Sequence, residues 1–148
     1  MHSMKAEQLR GLLDAQHAIL QSIALGADLS ACLTLICLKI EEFFSVPQAR
    51  ASILILSNQH LLHGAAPSLA DDYNEQIDGL EIGPEVGSCG AAAYTHQQVI
   101  VADIAQDPKW ARFRDLAARH HLRACWSTPI ISSHGDVLGT FAIYYSQP

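Results

Sequence analysis

The sequence predicts an α+β fold, an α/β sandwich in which a central antiparallel sheet of five to six strands has helices on both faces. Three observations predict it. Short apolar runs typical of strands alternate with segments whose apolar residues recur at helical intervals. Residues 123–131 and 137–145 are two such runs joined by a short polar loop, as antiparallel neighbours are. The last run is apolar on both faces, so we expect a central strand covered on each side.

The first third of the chain is predicted to form two helices. Residues 6–25 carry apolar side chains at helical spacing, and we expect the segment 5–26 to be a leading helix that mediates dimerisation through this seam. Asp28 is expected to cap the second helix by accepting hydrogen bonds from amides of its first turn. The apolar stripe of this helix continues to Phe43, and Pro47 is expected to stop it.

The middle of the chain is predicted to begin with a hairpin. Residues 50–57 and 61–65 are the expected strands, and Asn58 and Gln59 form the turn between them. Residues 67–82 are expected to hold a short helix over residues 71–77 and otherwise to be a loop.

Two further helices and a strand are predicted before the final hairpin. Ser88 is placed to cap a helix over residues 89–95, and residues 99–104 read as a strand. Asp107 and Pro108 predict a helix start, because a side-chain acceptor precedes a residue that has no amide hydrogen to satisfy. Apolar and aromatic residues then share one face of that helix: Trp110, Phe113, Leu116, Ala117 and His120.

The final hairpin contains two residues with special backbone properties. Gly135 is available for a positive φ in the loop. Pro129 has no amide hydrogen for a strand ladder, so we expect a bulge or a sheet edge there.

The amino-acid composition excludes some classes of function. The chain has 148 residues, of which 49% are hydrophobic and 16% charged, which indicates one globular domain spanning residues 1–148. The net charge of −6 and the scattered basic residues argue against nucleic-acid binding. No apolar run approaches the roughly 20 residues that a membrane span requires. The four cysteines form no Cys-x-x-Cys pair, which favours reduced thiols in a cytoplasmic protein.

The glycines at positions 83, 87 and 90 mark the first candidate site. They could bring the amides of Cys89, Gly90 and Ala91 to a helix N-terminus, where an anion is favoured. The alternative is a set of tight turns with close helix packing, for which the small residues after Gly90 are suited.

Aromatic and polar residues elsewhere could complete a small-molecule pocket with apolar walls and few polar groups. Asp103 follows an apolar run at a strand end, although it could equally cap a local turn. His121 lies at a predicted helix end, and metal or haem ligation by a histidine is an open alternative. The full set of ligand-binding candidates is Ser88, Cys89, Gly90, Ala91, Asp103, Trp110, Phe113, His121, Trp126 and Thr128.

Four segments carry a family resemblance. They read Ile-Gly-Pro-Glu-Val-Gly-Ser-Cys-Gly-Ala-Ala-Ala-Tyr over residues 82–94, Val-Ile-Val-Ala-Asp-Ile over 99–104, Leu-Arg-Ala-Cys-Trp-Ser-Thr-Pro-Ile over 122–130, and Gly-Asp-Val-Leu-Gly-Thr-Phe-Ala-Ile-Tyr-Tyr over 135–145. In that order they resemble the GAF domain, a PAS-related regulatory module of bacterial multidomain sensors. There it accompanies diguanylate cyclase, cyclic-di-GMP phosphodiesterase or histidine kinase domains.

The resemblance implies a non-catalytic sensory domain. Such a domain binds a small ligand and controls an attached output domain through helices of a homodimer. The chain ends shortly after its last strand, which we interpret as the end of an excised domain.

Two alternatives remain open at this point. Gly-Ser-Cys-Gly over residues 87–90 resembles a motif of free methionine sulfoxide reductases, a GAF-type redox enzyme family. However, the region matching the insertion that carries that family's attacking cysteine, residues 107–122, contains no cysteine. Cys89 and Cys125 have no adjacent histidine or basic residues, so we expect buried structural thiols. The second alternative is a ligand-free structural dimerisation module.

Overall fold

The structure, a computed structural model, describes Arg10, residues 28–44 and residues 49–148. The helices are α1 Leu29–Phe44, α2 Asp71–Ile77, α3 Gly87–Thr95 and α4 Arg114–Arg119, the last preceded by a 3-10 helix over Pro108–Phe113. The strands are β1 Arg50–Ser57, β2 His60–Ala65, β3 Leu80–Glu81, β4 Val99–Val101, β5 Ala124–Ile131 and β6 Val137–Tyr145.

The six strands form one antiparallel sheet in the order β3-β2-β1-β6-β5-β4. The predicted fold class is therefore confirmed. β6 lies between β1 and β5, as its apolar faces predicted. It approaches β1 closely at Gly139, where a Cβ would overlap the main-chain oxygen of Leu54. Only a residue without a side chain fits the ladder at this point.

Helices cover both faces of the sheet. On one face α1 packs over a small core to which β1, β2 and β6 contribute Ala51, Ile53, Ala65 and Phe141. On the other face α2, α3 and the 3-10 helix enclose the larger core. Its fully buried large side chains include Tyr73, Val101, Ile104, Leu122 and Tyr144. The candidate site lies within this second core.

The start of α1 forms as predicted. The Asp28 carboxylate accepts a hydrogen bond from the Ala31 amide at 2.8 Å, in the first turn of the helix. The predicted leading helix over 5–26 lies outside the described residues apart from Arg10, which is helical. Pro47 lies outside them as well, so both the dimer seam and the stop at Pro47 stay predictions.

The turn residues of both hairpins adopt the left-handed backbone conformation that tight turns require. Asn58 and Gln59 both have positive φ, 51° and 66°, which joins β1 to β2 by a tight turn. Gly135 has a φ of 87° in the loop between β5 and β6. β4 pairs with β5 only as far as Ser127, so Pro129 lies where that side of β5 has no strand partner. A register shift follows at Ile130/Ile131.

Several element boundaries differ from the sequence prediction. β4 ends at Val101 rather than at residue 104, because Asp103 begins a turn and accepts a hydrogen bond from the Ala105 amide at 3.1 Å. The predicted loop over 67–82 contains the two-residue strand β3, which pairs with β2. The helix that starts at Asp107 is divided, since a 3-10 helix precedes α4. Its predicted cap is confirmed: the Asp107 carboxylate accepts from the Lys109 amide at 2.9 Å.

Candidate functional site

The glycine-rich turn before α3 packs closely against the start of that helix. Gly87 has a φ of 62° and is the first residue of α3. A Cβ on Gly90 would lie 2.7 Å from the Val86 Cβ, so the turn packs directly on the helix. The residues that follow, Ala91, Ala92 and Ala93, are buried. This geometry supports the packing interpretation of the glycines.

Ser88 does not cap α3, and this part of the prediction is wrong. The helix starts one residue before Ser88, at Gly87, and its N-cap position is Val86, which makes no side-chain cap. Ser88 is instead fully buried within the first turn. Its hydroxyl accepts a hydrogen bond from Trp110 Nε1 at 3.0 Å and donates to the Cys125 carbonyl at 3.3 Å. Ser88 thereby connects α3 to both the 3-10 helix and β5.

Aromatic rings form one wall of the site. Trp110 is edge-to-face with Phe113 and with Tyr144, each at a centroid distance of 6.3 Å. Tyr144 makes the same type of contact with Tyr73 at 5.8 Å. The Tyr73 hydroxyl donates to the Tyr144 hydroxyl at 3.1 Å. Burial raises the pKa of both tyrosines well above the usual value, so both rings stay neutral at physiological pH.

A cavity of about 30 Å³ lies between these rings, the start of α3 and the sheet. Its lining contains no charged side chain, and its polar atoms are few. Thirteen residues form the lining: Leu54, Leu61, Tyr73, Ile77, Leu80, Val86, Gly87, Ser88, Cys89, Gly90, Trp110, Phe113 and Tyr144. Among them Leu80, Val86 and Phe113 are only half-buried and mark the side that faces solvent. The cavity is thus an apolar pocket, and the turn before α3 forms part of its wall.

Half of the sequence-predicted candidates meet at this cavity. Ser88, Cys89, Gly90, Trp110 and Phe113 line it, although they come from two separate segments of the chain. Their role as ligand contacts stays a prediction.

The other five candidates lie elsewhere. Ala91 is buried beside the cavity but outside its lining. The Asp103 carboxylate accepts a hydrogen bond from the Ala105 amide within its own turn and forms an ion pair with Arg123 at 3.5 Å. His121 is exposed in a left-handed conformation after α4, with a φ of 58°. Trp126 and Thr128 point to the opposite face of the sheet, where both are exposed.

Most residues on the sheet side of the cavity were not among the predicted candidates. Leu54 and Leu61 come from β1 and β2, while Ile77 and Leu80 flank the turn after α2. For the strand residues, the alternation of side chains along a strand shows which of them share a face. It does not show which face α3 covers, so only the assembled fold identifies them.

The described residues give no sign of a metal centre or a membrane span. No three or more histidine, cysteine, aspartate or glutamate side chains among them are arranged to hold a metal ion. Within residues 28–44 and 49–148, no helix combines the length and apolar character needed to cross a bilayer.

The six-stranded sheet, the helices on both faces and the cavity beneath α3 define an α+β domain of the GAF-like class. A sequence profile described as the GAF domain matches residues 26–148. The chain belongs to the GAF domain family.

Similar proteins include a sensor and several solved domains. The chain is 37% identical over 138 residues to the methyl sulfide methyltransferase-associated sensor of Methanosarcina acetivorans, covering 92% of this chain and 14% of that protein. The GAF domain of the Acinetobacter phosphoenolpyruvate-protein phosphotransferase superposes with a TM-score of 0.65 at 19% identity, over 98% of this chain and 80% of that one. Free methionine-R-sulfoxide reductase of Neisseria meningitidis gives 0.67 at 16% identity, over 99% and 80%. At these identities the solved structures show the fold alone.

Proposed function

We propose that this GAF domain is a non-catalytic sensory module that binds a small uncharged ligand and controls an attached output domain. The observation that carries the proposal is the apolar cavity beneath α3 and the 3-10 helix. Concave sites with apolar walls and few polar groups are the usual form of small-molecule pockets. The chain spans 14% of the Methanosarcina sensor, which makes an attached output domain the natural expectation.

The lining restricts the chemistry of the ligand. A charged guest would lose its hydration without gaining an ion-pair partner, because the lining contains no aspartate, glutamate, lysine, arginine or histidine. The hydroxyls of Ser88 and Tyr73 already serve protein partners, so few hydrogen bonds are left for a polar guest. We therefore expect an uncharged and largely apolar ligand rather than a nucleotide.

The volume restricts the size of the ligand. An apolar cavity of about 150 Å³ accommodates benzene, whereas this one measures about 30 Å³. It takes a guest of a few heavy atoms as it stands. A larger guest requires the turn around Val86 to move away from the sheet.

Trp110 provides a direct assay, because its indole lines the cavity. The chain contains one other tryptophan, Trp126, which is 43% exposed on the opposite face of the sheet. In the Trp126→Phe variant, fluorescence reports Trp110 alone. Dimethyl sulfide is a suitable first probe, since it is small and uncharged and the Methanosarcina sensor is associated with a methyl sulfide methyltransferase. We expect a saturable change with dimethyl sulfide and none with acetate, an anion of similar size.

A cavity-filling variant tests whether the signal comes from this site. Leu54→Phe adds volume at the cavity wall and should abolish the response. Leu62→Phe adds the same volume at a position 42% exposed on the neighbouring strand and should leave it unchanged. Far-UV circular dichroism establishes that both variants fold. Equal responses in the two variants, or no saturable response to any uncharged probe, would refute ligand binding in the cavity.

We further propose that ligand binding acts on the output domain through the leading helix over 5–26 in a homodimer. The motive is the apolar seam of that segment, together with a cavity whose walls come from several separate elements. Removing residues 1–24 should convert the dimer to a monomer in analytical ultracentrifugation. A truncated chain that dimerises with unchanged affinity shows that the helix is not the seam.

The cellular setting belongs to the same proposal. We place the protein in the cytoplasm as part of a multidomain sensor of the diguanylate cyclase, cyclic-di-GMP phosphodiesterase or histidine kinase type. A reductase activity is not favoured, since the region over 107–122 lacks a cysteine. Incubation with free methionine-R-sulfoxide and a thiol reductant should give no turnover above the protein-free control.

A further inference from the structure

Two buried thiols, one of which lines the cavity, lie close together. Cys89 lies in the first turn of α3, lines the cavity and retains 8% exposure. Cys125 lies on β5, the strand against which α3 packs, and is fully buried. The side chains of Cys89 and Cys125 are close enough to interact with each other. The hydrogen bond from Ser88 to the Cys125 carbonyl holds α3 and β5 together at this point.

Buried hydroxyls surround this pair without serving another partner. Ser127 and Thr140 are fully buried, and their hydroxyl oxygens have no hydrogen-bond partner within residues 28–44 and 49–148. They lie on the same face of the sheet as Cys125, on β5 and on the adjoining β6. Both approach the Cys89 sulfur, as does the Tyr144 hydroxyl. A buried hydroxyl without a partner is unfavourable, so these groups are placed to donate to a thiolate at Cys89.

The electrostatics of the pair differ from those of Cys37. The hydrogen bond from Cys125 lowers the pKa of Cys89 to about 7, against the opposing effect of burial. Burial raises the pKa of Cys125 well above the usual range. Apart from these thiols, the titratable groups facing Cys89 are the neutral Tyr73 and Tyr144. By contrast, burial raises the pKa of Cys37 to about 12.

We propose that Cys89 is an oxidation site for small hydroperoxides and that Cys125 resolves it to a disulfide. The cavity gives the oxidant its route, because a water-sized molecule needs roughly 10–15 Å³ and about 30 Å³ is present. The largely apolar lining, which contains no aspartate, glutamate, lysine, arginine or histidine, suits a neutral oxidant such as hydrogen peroxide. This inference does not depend on the cavity binding any other ligand.

The reaction balances with hydrogen peroxide as the two-electron oxidant. The Cys89 thiolate attacks one peroxide oxygen, the O–O bond breaks, and hydroxide leaves as the sulfenic acid forms. Cys125 then attacks the Cys89 sulfur, the S–S bond forms and the S–O bond breaks. The Cys125 proton and the departing hydroxide make water. Two thiols and one peroxide thus give one disulfide and two waters, and the first turn of α3 becomes tied to β5.

Intact-mass spectrometry after timed exposure of the whole chain to hydrogen peroxide tests the proposal. We expect the loss of two hydrogen atoms, with peptide mapping placing the bond between Cys89 and Cys125. Oxidation of Cys89 should be at least about tenfold faster than that of Cys37, whose thiolate fraction at neutral pH is far smaller. The wild-type chain alone provides this comparison, so the test does not depend on any variant folding.

Three variants assign the roles. Cys89→Ser should prevent the loss of two hydrogens, and Cys125→Ser should stop the reaction at a sulfenic acid that dimedone labels. Cys37→Ser should behave as wild type and serves as the matched control for removing a buried thiol. The proposal is overturned if Cys89 in the folded wild-type protein oxidises no faster than Cys37, or if Cys89→Ser still loses two hydrogens at the wild-type rate. This experiment measures oxidation and not ligand binding. A negative result would therefore refute the disulfide proposal without bearing on the ligand assay that uses Trp110 fluorescence.

Discussion

The buried tyrosine pair at the cavity wall gives a prediction whose size follows from the structure. The Tyr73 hydroxyl donates to the Tyr144 hydroxyl at 3.1 Å, and both residues are essentially unexposed. Tyr144→Phe removes the acceptor and leaves a buried hydroxyl on Tyr73 without a partner. Tyr73→Phe removes the donor instead.

The two single changes should differ in their effect on the free energy of unfolding. A buried polar group that loses its partner destabilises a protein by about 1–3 kcal/mol, so Tyr144→Phe should fall in this range. Tyr73→Phe should cost less, because the Tyr144 hydroxyl also approaches the sulfurs of Cys89 and Cys125. In the double variant both hydroxyls are absent and the ring shapes are kept. Its destabilisation should therefore be smaller than the sum of the single effects, with a coupling free energy of about 1 kcal/mol.

Urea unfolding followed by far-UV circular dichroism measures all three variants. For a chain of this size, each kcal/mol corresponds to a shift of about 2–4 °C in Tm. Tyr94→Phe is the matched control, since Tyr94 is 55% exposed and should change stability by less than about 0.5 kcal/mol. Additive effects of the two single variants would show that the hydroxyls do not interact.

Three further predictions follow from the packing, the thiols and the caps. Gly139→Ala should destabilise the protein by about 3 kcal/mol, because the new methyl overlaps the main chain of β1. Leu138→Ala, at a neighbouring position 53% exposed, should be nearly neutral, and similar urea midpoints for the two would contradict this. Alkylation of Cys89 should accelerate as pH rises through about 7, because the thiolate is the reactive form. Cys37 should stay unreactive over the same range in mass spectrometry, and a common pH profile would argue against the hydrogen-bonded thiolate. Asp107→Ala should lower stability by about 1 kcal/mol through loss of the cap, and an unchanged Tm would exclude that role.

Local chemistry made several elements predictable. α2 was expected over residues 71–77 and occupies those residues. Asp28 and Asp107 cap the helices that follow them, because each carboxylate is held next to the amides it serves. The central position of β6 follows from its apolar character on both faces. In each case the deciding partners lie within a few residues or in one periodic pattern.

Predictions that required distant partners were less complete. β3 consists of two residues and exists only because β2 provides its ladder partner. Serine is a residue type that often caps helices. The Ser88 hydroxyl is instead buried, and its hydrogen-bond partners are Trp110 and the Cys125 carbonyl. Trp126 has an aromatic ring suited to a pocket, yet its strand register turns it to the opposite face, where it packs edge-to-face on Tyr145 at 5.7 Å.

The amino-acid sequence by itself determined the family, the antiparallel sheet with helices on both faces, and the glycine-rich turn before α3. The sheet, the helices and the turn depend on periodicity, turn residues and small side chains, all of which act over short stretches of chain. The family follows instead from the four segments that resemble the GAF domain. The tertiary structure alone decided which side chains enclose the cavity and that Cys89 and Cys125 share one hydrogen-bonded site. Those relations join residues from separate elements of the chain, and the order of strands in the sheet, rather than any local preference, brings them into contact.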